Sequence, residues 1–144
     1  MSQLVIDASV AIKWFVREVH SEHALTILNG HHTLFAPDLL FTECGSILWK
    51  KVRRREFGQS DAWRIFRTLE QVPIDASPDA TLRPLALEIA FQSGRSVYDS
   101  MYIACAMEWE VPMVTADERL YNATRNGPLM RHIVWVAEPL DGRE

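Results

Sequence analysis

Short apolar runs alternate along the chain with longer segments of helical periodicity, and this alternation constrains the fold more than any other feature. The apolar runs are 3–6, 33–36, 72–74, 112–115 and 133–136. Most of the segments between them are too long for hairpins, so the predicted strands are joined through helices and run parallel. The pattern predicts an α/β fold, a three-layer α/β/α sandwich with a mainly parallel central sheet.

The intervening segments predict seven helices, at 7–16, 21–28, 38–55, 60–69, 79–93, 96–109 and from 117 to a point before 127. No linker, repeat or low-complexity tract interrupts them. A chain of 144 residues, 48% of them hydrophobic, has enough apolar side chains for one core. We therefore expect one domain over residues 1–144, with a loose tail from about residue 139.

Neither a membrane span nor a secretory leader is expected. Charges break every apolar run well short of the ~20 residues that a spanning helix needs, and no basic segment precedes an apolar one at the start. The two cysteines, Cys44 and Cys105, cannot build a disulfide framework or a cysteine-ligated zinc site on their own. We expect them to be small core residues of a cytoplasmic protein.

Two acidic residues directly follow predicted strands. Asp7 comes after the first strand, and Asp117 comes after the fourth. Ligands of open α/β sheets bind beyond the carboxyl ends of the strands, so both side chains are expected at the functional edge. The alternative is that each aspartate only caps the helix that follows it.

Two further acids lie on predicted helices. Glu43 is one turn from Leu40 and one turn from Ile47, on or beside the apolar stripe of its helix. A carboxylate placed there either needs a cation or extends from the edge of the stripe to water. Asp99 lies three residues after Ser96 and either completes a capping box or is held as a carboxylate at the start of a buried helix.

Together the four acids point to a metal site. Held close together without a partner they would repel one another, and some would take up protons. Carboxylate and water ligands suit Mg²⁺ or Mn²⁺ rather than zinc. A site of this kind activates water and stabilises a leaving oxygen in phosphoryl chemistry.

A basic stripe interrupts an acidic chain. Residues 50–67 contain seven Lys or Arg and two acids, whereas the whole chain has a net charge of −4. The stripe is suited to a nucleic-acid backbone, although a solvated helix face has the same composition. The residues predicted to contact RNA are Lys50, Lys51, Arg53, Arg54 and Arg55.

Tryptophans and missing motifs refine these expectations. Trp14, Trp49 and Trp63 are predicted to stack on bases or to line a partner groove, and Trp109 and Trp135 are predicted to pack in the core. No P-loop, nucleophile elbow or dinucleotide-binding glycine motif is present. No acid or cysteine pattern completes a zinc site around His20 and His23.

Four stretches resemble the PIN-domain ribonucleases, specifically the VapC-type toxins of bacterial toxin–antitoxin pairs. They are Val5-Ile6-Asp7-Ala8-Ser9, Pro37 through Glu43 to Leu48, Ser96 to Ala104, and Val114-Thr115-Ala116-Asp117-Glu118-Arg119-Leu120. Their order and spacing match the family over nearly the whole chain. One departure is Ser46, where the family often has Asn three residues after the glutamate.

The resemblance implies residue roles and partners. Asp7, Glu43, Asp99 and Asp117 match the family's acidic quartet, which holds one or two Mg²⁺ or Mn²⁺ ions and cleaves RNA with an activated water. Ser9 and Thr115 match hydroxyl positions near that metal site. The implied partners are an RNA substrate, a small antitoxin that wraps the helices around residues 38–70, and a second copy of the chain in a homodimer.

Two alternatives to a ribonuclease remain at this point. One is a binding module with the same fold, whose acids only cap helices and whose basic helix holds RNA or protein without cutting it. The other is a metal-dependent deoxyribonuclease, because no residue in the sequence separates RNA from DNA.

Overall fold

Residues 2–140 of the computed structural model are described here, and they form the predicted α/β sandwich. The central sheet has five strands, all parallel, in the order β3-β2-β1-β4-β5. They are β1 (Gln3–Ile6), β2 (Thr33–Pro37), β3 (Ile74–Ser77), β4 (Met113–Thr115) and β5 (Ile133–Trp135). Leu4, Val5 and Ile6 are consecutive and all buried. Both faces of β1 are therefore covered, as its continuous apolar run predicts.

Seven α-helices lie between and around these strands within the described range. They are α1 (Ala8–Ala11), α2 (Ser21–Asn29), α3 (Leu39–Arg53), α4 (Gln59–Gln71), α5 (Asp79–Ser93), α6 (Val97–Trp109) and α7 (Glu118–Thr124). The first helix was expected to reach about Val16, but α1 gives way to a 3₁₀ turn over Ile12–Trp14. The turn places Trp14 inside the protein, where its indole Nε1 donates to the Ala24 carbonyl at 2.9 Å.

Local capping residues define several helix ends. Ser96 accepts from the Asp99 amide at the start of α6, and Gly94 ends α5 with a φ of 75° that favours glycine. The start of α3 differs from the prediction, because Asp38 makes no side-chain cap there. Asp79, from the start of α5, instead accepts from the Leu39 amide at 3.0 Å.

The core confirms one prediction about small residues and corrects two about tryptophan. Cys44 and Cys105 are free and buried. Trp14 is 7% exposed, so it is a core residue and does not face a nucleic acid or a partner. Trp109 was expected in the core but is 44% exposed: its ring stacks on the buried Phe35, with centroids 4.7 Å apart, and the rest of the side chain remains accessible.

The end of the described range returns to the body of the protein. Leu140 packs against the core, and residues 141–144 of the tail expected to be loose lie outside the described residues. No helix within residues 2–140 is long and apolar enough to cross a membrane.

Candidate active site

The candidate site lies where the two central strands end. β1 pairs with β4 in parallel, with Ile6 beside Val114. Asp7 follows β1 directly, and Asp117 follows β4 after one intervening residue. The fold therefore brings both acids to the carboxyl edge of the sheet, where ligands of parallel sheets bind.

Asp7 is a buried carboxylate held by hydroxyl and amide donors. It is 5% exposed. Its Oδ1 accepts from the Ser9 hydroxyl at 2.5 Å and from the Val10 amide at 3.1 Å. Its Oδ2 accepts from the Thr115 hydroxyl at 2.6 Å. Asp7 thus caps α1, as the simpler alternative required, and it also makes two side-chain contacts that a cap does not need.

The pKa of Asp7 is unusual for an aspartate that only caps a helix. Burial raises its pKa from 3.8 to about 6, against the lowering effect of the hydrogen bonds from Ser9, Thr115 and Val10, and repulsion from Asp117 adds to the rise. Within residues 2–140 no Lys, Arg or His forms an ion pair with it. A buried carboxylate without a counter-ion is a candidate for binding a cation.

Ser9 and Thr115 also connect Asp7 to the second acid. The Ser9 hydroxyl accepts from the Ala116 amide at 2.9 Å, and the Thr115 hydroxyl accepts from the Asp117 amide at 3.1 Å. Asp117 in turn caps α7 by accepting from the Arg119 and Leu120 amides at 3.0 and 3.3 Å. The loop after β4 is therefore hydrogen-bonded to the start of α1.

Glu43 faces the same region from α3. Burial raises its pKa, a hydrogen bond from Tyr102 lowers it, and repulsion from Asp99 raises it. The Tyr102 hydroxyl donates to Glu43 Oε1 at 2.5 Å. The glutamate is half-buried and accepts from a hydroxyl, whereas its position predicted either a cation or water as the partner. From the sequence, Tyr102 was expected only to lie on the apolar face of its helix, so its contact with Glu43 was missed.

Asp99 has a different partner from the other acids. It lies in the first turn of α6, where its Oδ2 is 3.2 Å from Nη2 of Arg95. Its backbone amide donates to Ser96, so the serine half of the expected capping box is present. Among residues 2–140, Asp99 is the one member of the four acids with a basic ion-pair partner.

The four acids approach one another in two pairs. Asp117 raises the pKa of Asp7 by repulsion, and Asp99 raises that of Glu43 in the same way. Tyr102 is close to one member of each pair: burial raises its pKa most, and Glu43 and Asp7 raise it further. Even so, no three His, Cys, Asp or Glu side chains in the described part of the chain are grouped closely enough to hold a metal ion.

The chemistry of the donors nevertheless fits a hard divalent cation. Every acid of the set offers carboxylate oxygen, the ligand that Mg²⁺ and Mn²⁺ prefer. Each carboxylate accepts at least one hydrogen bond from its own chain. A divalent cation would offset the repulsion within both pairs.

The basic stripe divides into exposed and committed residues. Lys50, Arg53, Arg54 and Arg55 are exposed at the end of α3. Lys51 is 8% exposed and is held by Glu18 at 2.9 Å and Glu56 at 3.2 Å. Lys51 is therefore committed to ion pairs inside the protein, which corrects its prediction as an RNA contact. Lys50 follows Glu43 by seven positions, about 10 Å along a helix, so the stripe begins beyond the acids.

An apolar groove runs between α3 and α4. It encloses about 420 Å³ and is lined by Leu48, Trp49, Val52, Trp63 and Phe66 among others. Trp49 and Trp63 are each 56% exposed. Arginine guanidinium carbons lie over both rings, at 4.8 Å for Arg53 and 5.4 Å for Arg67. The two tryptophans thus border a groove, as one of their predicted alternatives stated.

Known proteins share this fold, and some are related to this chain in sequence. Ribonuclease VapC3 of Pyrobaculum aerophilum is 29% identical over 125 residues, which cover 82% of this chain and 92% of that protein. A solved Pyrobaculum aerophilum structure superposes with a TM-score of 0.66 at 21% identity, covering 94% of this chain and 84% of its own. A toxin–antitoxin complex from Klebsiella pneumoniae gives a TM-score of 0.63 at 11% identity, and the match covers 94% of this chain and 99% of that chain. The PIN domain profile matches residues 4–126, so the chain belongs to the PIN domain family.

Proposed function

We propose that this protein is a metal-dependent endoribonuclease, the toxin of a toxin–antitoxin pair. The observation that carries the proposal is the buried, hydrogen-bonded Asp7 without a counter-ion, at the carboxyl edge of a parallel sheet with Asp117 beside it. The ribonuclease name of the relative from Pyrobaculum aerophilum gives the reaction. The acids fit the Mg²⁺ or Mn²⁺ ions with which metal-dependent nucleases hydrolyse phosphodiesters.

Asp7, Glu43, Asp99 and Asp117 are the residues that would hold the ion. Once bound, Mg²⁺ or Mn²⁺ would lower the pKa of a water and offset the charge that develops on the phosphate oxygens. Ser9 and Thr115 fix the orientation of the Asp7 carboxylate through its two oxygens. Such hydrogen bonds around ligating carboxylates hold them in position for the metal.

Other residues orient Glu43 and attract the substrate. Tyr102 holds one oxygen of Glu43 and leaves the second free of any partner within residues 2–140. Lys50, Arg53, Arg54 and Arg55 form an exposed positive surface beyond the acids. A positive surface increases the rate at which a polyanion is captured, and its effect weakens as salt is added.

The experiment is cleavage of a labelled single-stranded RNA by purified, antitoxin-free protein. We expect cleavage with Mg²⁺ or Mn²⁺ and none with EDTA. Asp99→Asn should abolish it, whereas Asp75→Asn, a matched change at an exposed residue of β3, should not. Cleavage that survives EDTA or Asp99→Asn would contradict the proposal, and binding of RNA without cleavage would favour the binding-module alternative. A single-stranded DNA of the same sequence separates ribonuclease from deoxyribonuclease activity.

The partner that we propose is an antitoxin lying in the groove between α3 and α4. An apolar floor with exposed tryptophans and arginines at its borders suits an amphipathic segment with acidic flanks. The toxin–antitoxin complex among the structural neighbours supports a partner of this kind. Trp63→Ala should weaken co-purification with the product of an adjacent short reading frame and leave RNA cleavage unchanged.

Two further properties belong to the proposal. We propose a homodimer, which sedimentation of the purified protein would test; a monomer at micromolar concentration would contradict it. We also propose a cytoplasmic location, with which two free, buried cysteines agree.

A further inference from the structure

Arg95 is the basic residue that forms an ion pair with one of the four acids within residues 2–140. It precedes α6, and its Nη2 is 3.2 Å from Asp99 Oδ2, with both side chains 27% exposed. Its Nε is buried and has no hydrogen-bond acceptor within residues 2–140. A buried N–H without an acceptor is costly, more so on a charged group. The contact with Asp99 therefore leaves part of the guanidinium unsatisfied.

The placement of Arg95 is not explained by charge compensation alone. Asp7 is the most buried of the four acids, and no basic residue of the described chain pairs with it. The cation lies instead on Asp99, at the amino end of α6, where the helix dipole already favours a carboxylate. Arg95 thus stabilises an acid that the helix dipole already favours, and it brings a positive charge into a cluster that would otherwise repel RNA.

We propose that Arg95 contacts a phosphate of the RNA substrate, to which it transfers from Asp99. A phosphate oxygen pair accepts two parallel N–H bonds from a guanidinium, which would satisfy Nε together with one Nη. The same movement releases Asp99 Oδ2. This inference rests on the proposed ribonuclease function and adds a substrate-contacting residue outside the acidic quartet.

The test compares Arg95→Gln and Arg95→Lys with wild type. Arg125→Gln is the matched control, because Arg125 is exposed and follows the carboxyl end of α7, whereas Asp117 lies at the amino end of that helix. The substrate is a labelled single-stranded RNA that the wild type cleaves in Mg²⁺. The measurement is kcat/KM for each protein between 50 and 200 mM KCl.

Arg95→Gln should lower kcat/KM at the lowest salt by about tenfold or more, the effect of losing a charge-assisted hydrogen bond. The slope of log kcat/KM against log salt should become shallower by about 0.7, the value for one phosphate contact on a single strand. Arg95→Lys should keep the slope, since the charge remains, but not the full rate, because lysine cannot bind in two places. Arg125→Gln should match wild type in both.

A residue that acts only by holding Asp99 would give another pattern. The rate would fall without a change in the salt slope, and Mn²⁺ titrated into Arg95→Gln would bind more weakly than to wild type. Either result would overturn the inference, as would wild-type kinetics in Arg95→Gln. We expect Mn²⁺ to bind Arg95→Gln at least as tightly as wild type, because the carboxylate has lost a competing cation. If wild type itself fails to cleave RNA, the proposed function is what fails.

Discussion

Thr115 donates its hydroxyl to Asp7 across 2.6 Å, although 108 positions separate the two residues in the chain. The contact forms because β1 and β4 are neighbours at the centre of the sheet, so the ends of the two strands meet. The same hydroxyl accepts from the Asp117 amide at 3.1 Å. One side chain therefore joins the two acids that follow the central strands.

Replacing this hydroxyl should destabilise the protein. Thr115→Val keeps the shape but leaves Asp7 with one donor fewer and the Asp117 amide without its acceptor. We expect the free energy of unfolding at pH 8 to fall by about 1–3 kcal/mol, the cost of leaving a buried polar group unsatisfied. Urea unfolding measures it. Thr68→Val, at an exposed threonine of α4, is the control and should change the value by less than about 0.5 kcal/mol; equal effects of the two would contradict this account.

The part of the site on the central strands was predictable from the sequence. An acid directly after a buried strand must lie at the carboxyl edge of a parallel sheet, which placed Asp7 and Asp117. The apolar spacing around Glu43 likewise predicted a half-buried carboxylate, and the structure shows one. These inferences succeeded because strand ends and helix faces depend on local sequence.

Several contacts that the sequence did not reveal join distant segments. Tyr102 and Glu43 are 59 positions apart, and no local pattern links a tyrosine on an apolar face to a glutamate on another helix. Lys51 was expected at the surface, but the loop before α2 brings Glu18 against it from 33 positions away. Asp38 was expected to cap α3, but Asp79 performs that role from α5. Each outcome depends on tertiary packing.

The raised pKa of Asp7 makes stability depend on pH in a defined direction. The folded protein binds this proton more tightly than the unfolded chain, since burial raises the pKa from 3.8 to about 6. The stabilisation is complete well below pH 3.8, is lost as pH rises through about 6, and no longer changes once the folded-state carboxyl is fully ionised. The loss amounts to about 3 kcal/mol.

Asp7→Asn isolates this effect, because the amide has nearly the same shape and does not titrate. We expect the unfolding free energy of wild type, minus that of Asp7→Asn, to decrease from about pH 4 to about pH 7 and then to level off. Denaturant unfolding at half-unit pH steps measures the difference. Asp75→Asn, at an exposed acid of β3, is the matched control. Equal decreases for the two variants, or a flat difference for Asp7→Asn, would contradict this account.

Divalent ions should stabilise the folded protein if the acids bind them. A ligand that binds only the folded state adds about 2.7 kcal/mol when its concentration is 100 times Kd. We expect Mn²⁺ to raise the thermal midpoint of wild type and of Asp75→Asn, and EDTA to reverse the rise. Asp7→Asn and Glu43→Gln should lose the shift, since each removes one carboxylate from the set. A full shift in both variants would exclude these residues as ligands.

The hydroxyl of Tyr102 should set the protonation of Glu43 and, through it, the acid limb of the cleavage profile. Burial raises the pKa of Glu43, and the hydrogen bond from Tyr102 opposes that rise by stabilising the ionised form. Tyr102→Phe keeps the ring and removes the donor, so the pKa of Glu43 should rise further. A carboxylate that is protonated at higher pH binds a cation less well.

We therefore expect the acid limb of kcat/KM for RNA cleavage in Mg²⁺ to move to higher pH in Tyr102→Phe, measured between pH 5 and 9. Tyr98→Phe is the matched control, because Tyr98 lies on the same helix and is 62% exposed. Its profile should overlay that of wild type. A limb that stays in place in Tyr102→Phe, with the rate lowered equally at every pH, would indicate that Tyr102 positions Glu43 without controlling its charge.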